Sequence, residues 1–150
     1  MPYEFKLTRH VDFVDTDMAG IMHYSNFFRF MEATEAAFFR SLGLSIYPRN
    51  LDGSIGWPRV HAECDYKRPL RFEDQVETHL LVRQRKEKSI VYGFIFHKIN
   101  ETPIQQVARG VLVTACVTRD KATGEMTAVP IPLSIAALIE AAPEELFLPE

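Results

Sequence analysis

The segment from Ser25 to Leu42 contains neither proline nor glycine, and it constrains the fold of this chain more than any other feature. Apolar side chains would lie on nearly every side of the helix that this segment predicts: Phe27, Phe28, Phe30, Met31, Ala33, Ala37, Phe38, Phe39 and Leu42. A helix that is apolar nearly all round is a buried helix. Ser25 is a suitable N-cap residue, and Gly43 can end the helix as a C′ glycine. We therefore expect one long helix inside the core.

Segments that alternate apolar and polar residues surround this helix and predict β-strands. We expect strands at residues 3–13, 59–66, 76–83, 90–99 and 104–118, and a short helix at 132–142. Residues 90–99 are apolar on both faces, which predicts the central strand, whereas Arg9 interrupts the apolar face of the first strand. Short turns join the last four strands and predict antiparallel neighbours. The order indicates an α+β fold in which a curved antiparallel sheet wraps around one long helix.

Length and composition restrict the class of protein. A chain of 150 residues is long enough for one domain with a real core, and we expect residues 1–150 to form it. The net charge of -3 gives no electrostatic support to nucleic-acid binding. No signal-peptide layout begins the chain, and no apolar run is long enough for a membrane span. Cys64 and Cys116 indicate two reduced thiols, so we expect a cytoplasmic protein.

The loop just before the helix carries the residues that indicate chemistry. Asp15, Asp17 and Gly20 lie there, and a carboxylate near a helix N-terminus can attack a carbonyl or activate water. The free N–H groups of the first turn can hold the oxygen that becomes negative. Asp17 could equally be a turn residue that hydrogen-bonds its own backbone. We expect no metal, because Asn26 stands where an EF-hand needs Glu and the histidines lack ligand spacing.

The same loop and the start of the helix carry a family pattern. They read Asp15-x-Asp17-x-x-Gly20-Ile21-x-x-Tyr24-x-Asn26-Phe27-x-Arg29-Phe30-x-Glu32. This pattern resembles the signature of the 4-hydroxybenzoyl-CoA thioesterase family, whose members are hotdog-fold acyl-CoA thioesterases. The resemblance implies hydrolysis of an acyl-CoA to a carboxylic acid and coenzyme A. It also implies a homodimer or homotetramer with active sites between subunits, and no cofactor, since coenzyme A is part of the substrate.

The resemblance also implies a role for individual residues. Asp17 would be the catalytic carboxylate, and the backbone N–H of Tyr24 would polarise the thioester carbonyl. Glu32, farther along the helix, would face the acyl end of the pocket. The turn before the central strand would contact the coenzyme A phosphates through Lys86, Lys88 and Ser89. His23 would lie beside the substrate, although many relatives have the aromatic residue and the histidine in the opposite order.

Other interpretations of these residues stay open from the sequence. Asp15 and Asn26 can organise the loop rather than react. Glu32 can form a structural ion pair with an arginine, because a buried carboxylate needs a partner. Lys86 and Lys88 can belong to a solvated turn. The fold itself also suits a dehydratase acting on acyl thioesters, or a domain that binds acyl-CoA without reacting.

Overall fold

A five-stranded antiparallel sheet and one long helix make up most of the protein, whose computed structural model describes residues 2–47 and 55–147. The elements in chain order are β1 (Glu4–His10), α1 (Asn26–Ser41), β2 (Arg59–Tyr66), β3 (Gln75–Arg85), β4 (Ser89–Lys98), β5 (Gln105–Ala115), β6 (Val117–Arg119), β7 (Met126–Ala128) and α2 (Leu133–Ala136). Short 3₁₀ turns occupy Phe13–Asp15 and Glu144–Phe147. Neither α-helix within the described ranges has the length and apolar character that a bilayer crossing requires.

The strand order in the sheet is β1-β3-β4-β5-β2, with every neighbouring pair antiparallel. Strand β4 lies in the middle, as its apolar residues on both faces predicted. The predicted α+β architecture of an antiparallel sheet around one long helix is therefore confirmed. Strands β1 and β2 form the two edges, and a separate hairpin pairs β6 with β7.

Helix α1 packs on one face of the sheet, called the inner face below. Its buried side chains include Phe27, Phe30, Met31, Phe38 and Phe39. These rings meet inner-face residues of the central strands, and the Phe27 ring centroid lies 5.2 Å from that of Phe96. Burying a large apolar side chain stabilises a fold by roughly 1.5–3 kcal/mol, so this helix supplies much of the driving force for folding.

The end of α1 follows the expected glycine cap. Gly43 has a φ of +76°, and its N–H donates to the Arg40 carbonyl at 3.0 Å. The Leu44 N–H donates to the Phe39 carbonyl at 2.9 Å, which completes a Schellman motif. At the other end, Ser25 occupies the N-cap position but its side chain makes no capping hydrogen bond, contrary to its predicted role.

Arg9 lies on the inner face without breaking the strand pattern. Its guanidinium carbon is 4.4 Å from the centroid of the Phe30 ring, which is a cation–π contact. The aliphatic part of an arginine can cover apolar surface while its charge stays near water. The predicted exception in β1 is therefore an arginine that packs against the helix.

Three predicted boundaries are wrong. Strand β1 ends at His10, and Phe13 is exposed in a 3₁₀ turn, because the partner segment turns at Asp74. The Asp74 N–H donates to the Arg71 carbonyl, and the Glu73 N–H donates to the Val11 carbonyl in its place. The predicted strand 104–118 breaks at Cys116, whose N–H donates to the Lys88 carbonyl. The predicted helix 132–142 stops at Ala136, because the following chain turns back to the sheet and the Ala142 N–H donates to the Val82 carbonyl. The proline, asparagine, aspartate and glycines of residues 45–56 predict a loop, and residues 48–54 of that segment lie outside the described residues.

Gly110 allows α1 to approach β5 closely. A Cβ atom at Gly110 would lie 2.1 Å from the Met31 Cε atom and 3.1 Å from the Glu63 carbonyl oxygen. Because Met31 is fully buried, its methyl group has little room to move. We expect Gly110→Ala to lower the free energy of unfolding by about 1–3 kcal/mol in urea denaturation. Gly56→Ala is the control, since its new methyl would meet only Val117 Cγ2 at 3.5 Å; equal effects of the two variants would contradict this explanation.

Candidate active site

Backbone hydrogen bonds fix the position of Asp17 in the loop before α1. The Asp17 N–H donates to the Ile21 carbonyl at 3.0 Å, and the Gly20 N–H donates to the Asp17 carbonyl at 2.9 Å. Gly20 has a φ of +79°, a conformation that favours glycine. The Asp17 Oδ1 atom accepts a hydrogen bond from the Ala19 N–H at 2.8 Å, so the turn interpretation is also correct. The other carboxylate oxygen accepts no hydrogen bond from residues 2–47 or 55–147.

Asp15 and Asn26 attach this loop to the start of the helix. The Asp15 Oδ2 atom accepts a hydrogen bond from the Asp12 N–H at 2.9 Å. The Asp15 carbonyl accepts from the His23 N–H at 2.9 Å and from Asn26 Nδ2 at 2.8 Å. These contacts confirm the interpretation that both residues organise the loop.

The backbone N–H of Tyr24 is a free donor at the start of α1. The Ser25 N–H donates to His23 Nδ1 at 3.2 Å, and the Asn26 N–H donates to the His23 carbonyl at 2.9 Å. The Tyr24 N–H, by contrast, has no acceptor among the residues that the structure describes. Helix N-termini carry partial positive charge, so this donor lies where developing negative charge is stabilised.

Tyr66, at the end of β2, holds the Tyr24 peptide from the other side. Its hydroxyl donates to the Tyr24 carbonyl at 3.0 Å, and its ring lies edge-on to Phe27 with centroids 5.0 Å apart. Burial raises the pKa of the Tyr66 hydroxyl to about 12, so this group stays protonated and keeps donating. The start of α1 is therefore tied to the edge strand.

These residues surround one cleft. It has a volume of about 440 Å³ and is lined by Asp17, Ile21, Met22, Tyr24, Phe27, Tyr66, Lys67, Arg68, Pro69 and Leu70. Two of the predicted site residues, Asp17 and Tyr24, thus share a cleft with a mostly apolar lining. A carboxylate and a free N–H donor beside an apolar surface can act on a carbonyl from two sides, because electrostatic interactions strengthen where water is scarce.

His23 lies next to the cleft but does not line it. Its ring stacks on that of Tyr24 with centroids 4.4 Å apart, and its Nδ1 atom is 2.7 Å from Ser25 Oγ. These contacts use one ring nitrogen to support the loop. His23 thus supports the loop within the described chain, and its predicted contact with the substrate stays a prediction.

Glu32 is exposed on α1 and is absent from the residues that line the cleft. The expectation of a buried carboxylate at Glu32 is wrong. The buried carboxylate is Glu35, whose side chain is 1% exposed and forms an ion pair with Arg59 at the start of β2. The sequence suggested an arginine partner for Glu32, but in the structure it is Glu35 that pairs with an arginine.

The environment of Glu35 disfavours its ionised form. Burial raises the pKa of the Glu35 carboxyl to about 7, even though the Arg59 guanidinium opposes that shift. The fully buried hydroxyl of Tyr92 and the Oε2 atom of Glu35 have no hydrogen-bond partner within the described chain. Sequence reasoning missed Glu35, although it lies four residues after Met31 and so shares a buried helix face with it.

Lys86, Lys88 and Ser89 lie at the opposite end of the sheet from Asp17. Ser89 begins β4, whereas Phe96, which contacts Phe27 of the cleft, lies seven residues farther along the same strand. Seven residues of extended strand span about 23 Å. One protomer therefore does not bring the turn before β4 together with Asp17.

Other candidate nucleophiles and metal ligands are poorly placed. Burial raises the pKa of the Cys64 thiol to about 11, which keeps this residue protonated. Residues 2–47 and 55–147 contain no group of three or more His, Cys, Asp or Glu side chains arranged to hold a metal ion. Among the described residues that line the cleft, Asp17 is the only one with an acidic side chain.

Comparison with known proteins gives a consistent set of relatives. A family model described as the thioesterase-like superfamily matches residues 11–139. A putative esterase from Aquifex aeolicus (strain VF5) is 34% identical over 98 residues, covering 65% of this chain and 74% of that protein. A 1,4-dihydroxy-2-naphthoyl-CoA hydrolase from Parasynechococcus marenigrum (strain WH8102) is 34% identical over 83 residues, covering 50% of this chain and 54% of that protein. The match therefore spans about half the length of this second relative.

A solved structure gives the same fold. The 4-hydroxybenzoyl-CoA thioesterase from Pseudomonas sp. strain CBS-3 superposes with a TM-score of 0.81 at 20% identity. The superposition covers 91% of this chain and 99% of the other. At that identity the likeness establishes a shared fold.

Proposed function

The chain belongs to the thioesterase-like superfamily, and we propose that it hydrolyses an acyl-CoA thioester to a carboxylic acid and coenzyme A. The predicted family resemblance and hotdog fold are both confirmed. A thioester hydrolase is also the class of enzyme that the named relatives represent. The observation that carries the proposal is the cleft that Asp17 and Tyr24 both line, together with a Tyr24 N–H that has no acceptor among the described residues.

Asp17 and Tyr24 divide the chemistry between them. The carboxylate of Asp17 attacks the thioester carbon to form an anhydride that water then hydrolyses, or it removes a proton from the water that attacks. Either route places negative charge on the carbonyl oxygen and then breaks the carbon–sulfur bond. The departing thiolate takes a proton from Asp17 or from water and leaves as the thiol. The Tyr24 N–H stabilises that oxygen, and removal of one such donor typically costs about 2.7–4 kcal/mol.

The lining of the cleft favours an aromatic acyl group. Phe27, Tyr24 and Tyr66 offer ring faces and edges, and aromatic pairs contribute about 0.5–1.5 kcal/mol beyond their buried area. The names of two relatives specify 1,4-dihydroxy-2-naphthoyl-CoA and 4-hydroxybenzoyl-CoA, both hydroxylated aromatic acyl-CoAs. We therefore place hydroxylated aromatic acyl-CoAs first among the candidate substrates.

A second copy of the chain would cover the exposed edge at β2. Among residues 2–47 and 55–147 this strand pairs with β5 alone, and Val60 and Tyr66 are 61% and 45% exposed. Unpaired strand edges are usually blunted or covered in native proteins. Pairing of two copies along β2 would form a homodimer and bring the cleft beside Tyr66 to the subunit boundary, and a homotetramer would follow from two such dimers. Sedimentation velocity would detect either assembly.

Lys86 and Lys88 lie far from Asp17 in their own protomer, so we propose that they reach the coenzyme A phosphates from another subunit. If they contact the coenzyme A phosphates there, Lys86→Ala combined with Lys88→Ala should raise KM more than it lowers kcat. The reason is that a phosphate contact binds substrate and transition state equally. Steady-state kinetics with an acyl-CoA tests this, and an unchanged KM would remove both lysines from the site.

A thiol-release screen tests the proposed function. Purified protein is mixed with a panel of aromatic, short aliphatic and long-chain acyl-CoAs, and free coenzyme A is detected with a thiol reagent. Release that depends on the enzyme supports hydrolysis. Addition of water to an enoyl thioester without thiol release would indicate a dehydratase instead. Tight acyl-CoA binding with no reaction would indicate a binding domain.

A further inference from the structure

Two adjacent cations, Lys67 and Arg68, stand at the mouth of the Asp17 cleft where β2 ends. Their backbone N–H groups both donate to the Val107 carbonyl, at 2.8 and 3.1 Å. Pro69 follows directly and cannot donate to a sheet, so the chain leaves the strand here. The backbone therefore anchors both residues at the same point of the cleft rim.

A second groove begins on the other side of this pair. It has a volume of about 610 Å³ and is lined by Lys67, Arg68, Pro103, Ile104, Gln105 and Gln106. The Lys67 Nζ atom donates to Gln106 Oε1 at 2.9 Å, which holds the ammonium over this groove. Lys67 and Arg68 are thus the wall that the Asp17 cleft and the outer groove share.

The residues that the structure describes do not neutralise these two charges. Neither Lys67 nor Arg68 takes part in an ion pair among the described residues, and both are exposed. The protein carries a net charge of -3, so an unpaired cationic pair is not a general property of its surface. The guanidinium of arginine suits phosphate oxygens in a two-point contact, and lysine adds a compact positive charge.

We propose that Lys67 and Arg68 bind the phosphate at the end of the phosphopantetheine arm, in the same protomer as Asp17. This inference rests on the proposed thioesterase function. The acyl group occupies the apolar cleft, the thioester lies between Asp17 and the Tyr24 N–H, and the arm ends at Lys67 and Arg68. Whatever is attached beyond the phosphate then enters the groove at residues 103–106. Coenzyme A and acyl carrier proteins present the same phosphate, so the pair recognises a feature common to both.

Matched thioesters test the proposal. The 4-hydroxybenzoyl thioesters of coenzyme A, of phosphopantetheine and of pantetheine differ in phosphate content but share the reacting group. For Lys67→Ala combined with Arg68→Ala, KM should rise about tenfold or more with the two phosphorylated substrates, as expected for loss of hydrogen bonds to a charged group. The KM for the pantetheine thioester should rise much less, because that substrate has no phosphate contact to lose, and kcat should change less than KM with every substrate.

Arg119→Ala combined with Lys121→Ala is the matched control. It removes the same charge from the β6–β7 hairpin, away from both clefts, and should leave all KM values unchanged. Equal increases in KM with pantetheine and with coenzyme A thioesters would overturn the proposal. Lys67 and Arg68 would then affect binding through the shape of the cleft and not through a phosphate contact. Unchanged KM values with every substrate would overturn it as well.

Two further experiments test phosphate binding independently of the reaction and identify the carrier of the acyl group. Calorimetry of free coenzyme A and of pantetheine with each protein tests the phosphate contact without turnover. Absence of hydrolysis by the wild type would refute the proposed function. Equal affinities of the wild type and the double variant for coenzyme A would instead refute the phosphate site. Comparison of kcat/KM for coenzyme A and acyl carrier protein thioesters shows which source of the phosphate the wild type prefers.

Discussion

Replacement of Asp17 by Asn is expected to lower the rate of acyl-CoA hydrolysis by at least ~10²-fold while leaving the fold intact. The amide of Asn can still accept the hydrogen bond from the Ala19 N–H, which Asp17 Oδ1 accepts at 2.8 Å, so the turn is preserved. The amide cannot act as a base or a good nucleophile. Thiol release with the best acyl-CoA of the panel measures the rate, and circular dichroism during heating checks the fold.

Asp120 provides the control for this experiment. Its Oδ1 atom accepts hydrogen bonds from the Ala122 and Thr123 N–H groups, in a turn far from the cleft. Asp120→Asn changes the same functional group in the same kind of turn, so its kcat should match that of the wild type. Turnover by Asp17→Asn within a few-fold of wild type would show that Asp17 takes no part in the chemistry. Its role would then be only the hydrogen bond that forms the turn.

The second large effect concerns stability rather than rate. Burial raises the pKa of Glu35 from 4.5 to about 7. Between these two pH values the folded protein therefore keeps a proton on this carboxyl, whereas the unfolded chain has lost it. The stabilisation is fully present below pH 4.5 and is lost as the pH rises through about 7. The shift corresponds to a loss of free energy of unfolding on the order of 3 kcal/mol. Urea denaturation at several pH values between these limits measures it.

Glu35→Gln removes the titrating group and should flatten this pH dependence. The groups that face Glu35 are the Arg59 guanidinium, the Glu32 carboxylate and the Tyr92 hydroxyl. Of these, Glu32 is an exposed carboxylate, so Glu32→Gln should keep most of the pH dependence and serves as the control. The same slope in the Glu35→Gln variant as in the wild type would show that another group causes it.

The sequence predicted the architecture because the local patterns were strong. The long apolar run gave the buried helix, and Gly43 marked its end through a positive φ that other residues rarely adopt. The two apolar faces of β4 indicated the centre of the sheet. Strand ends were predicted less well, since a hydrogen bond such as that from Cys116 to the Lys88 carbonyl depends on residues distant in sequence.

The candidate site likewise contains residues that the sequence predicted and residues that it did not. Asp17 and Tyr24 belong to one short segment, so a local motif was enough to place them together in a cleft. The family pattern includes Glu32, whereas only packing against Arg59 shows that Glu35 is the enclosed carboxylate of α1. Lys67 and Arg68 border the cleft through the pairing of β2 with β5, a contact that no local pattern contains.

Tyr66 belongs both to the outermost strand and to the wall of the reaction chamber. Its ring contacts Phe27, and its hydroxyl holds the carbonyl of Tyr24. A displacement of that strand is consequently transmitted to the Tyr24 peptide, whose N–H is the oxyanion donor of the proposed mechanism. Under the proposed pairing of copies along β2, changes in association and changes in substrate choice would therefore be linked through one phenol ring.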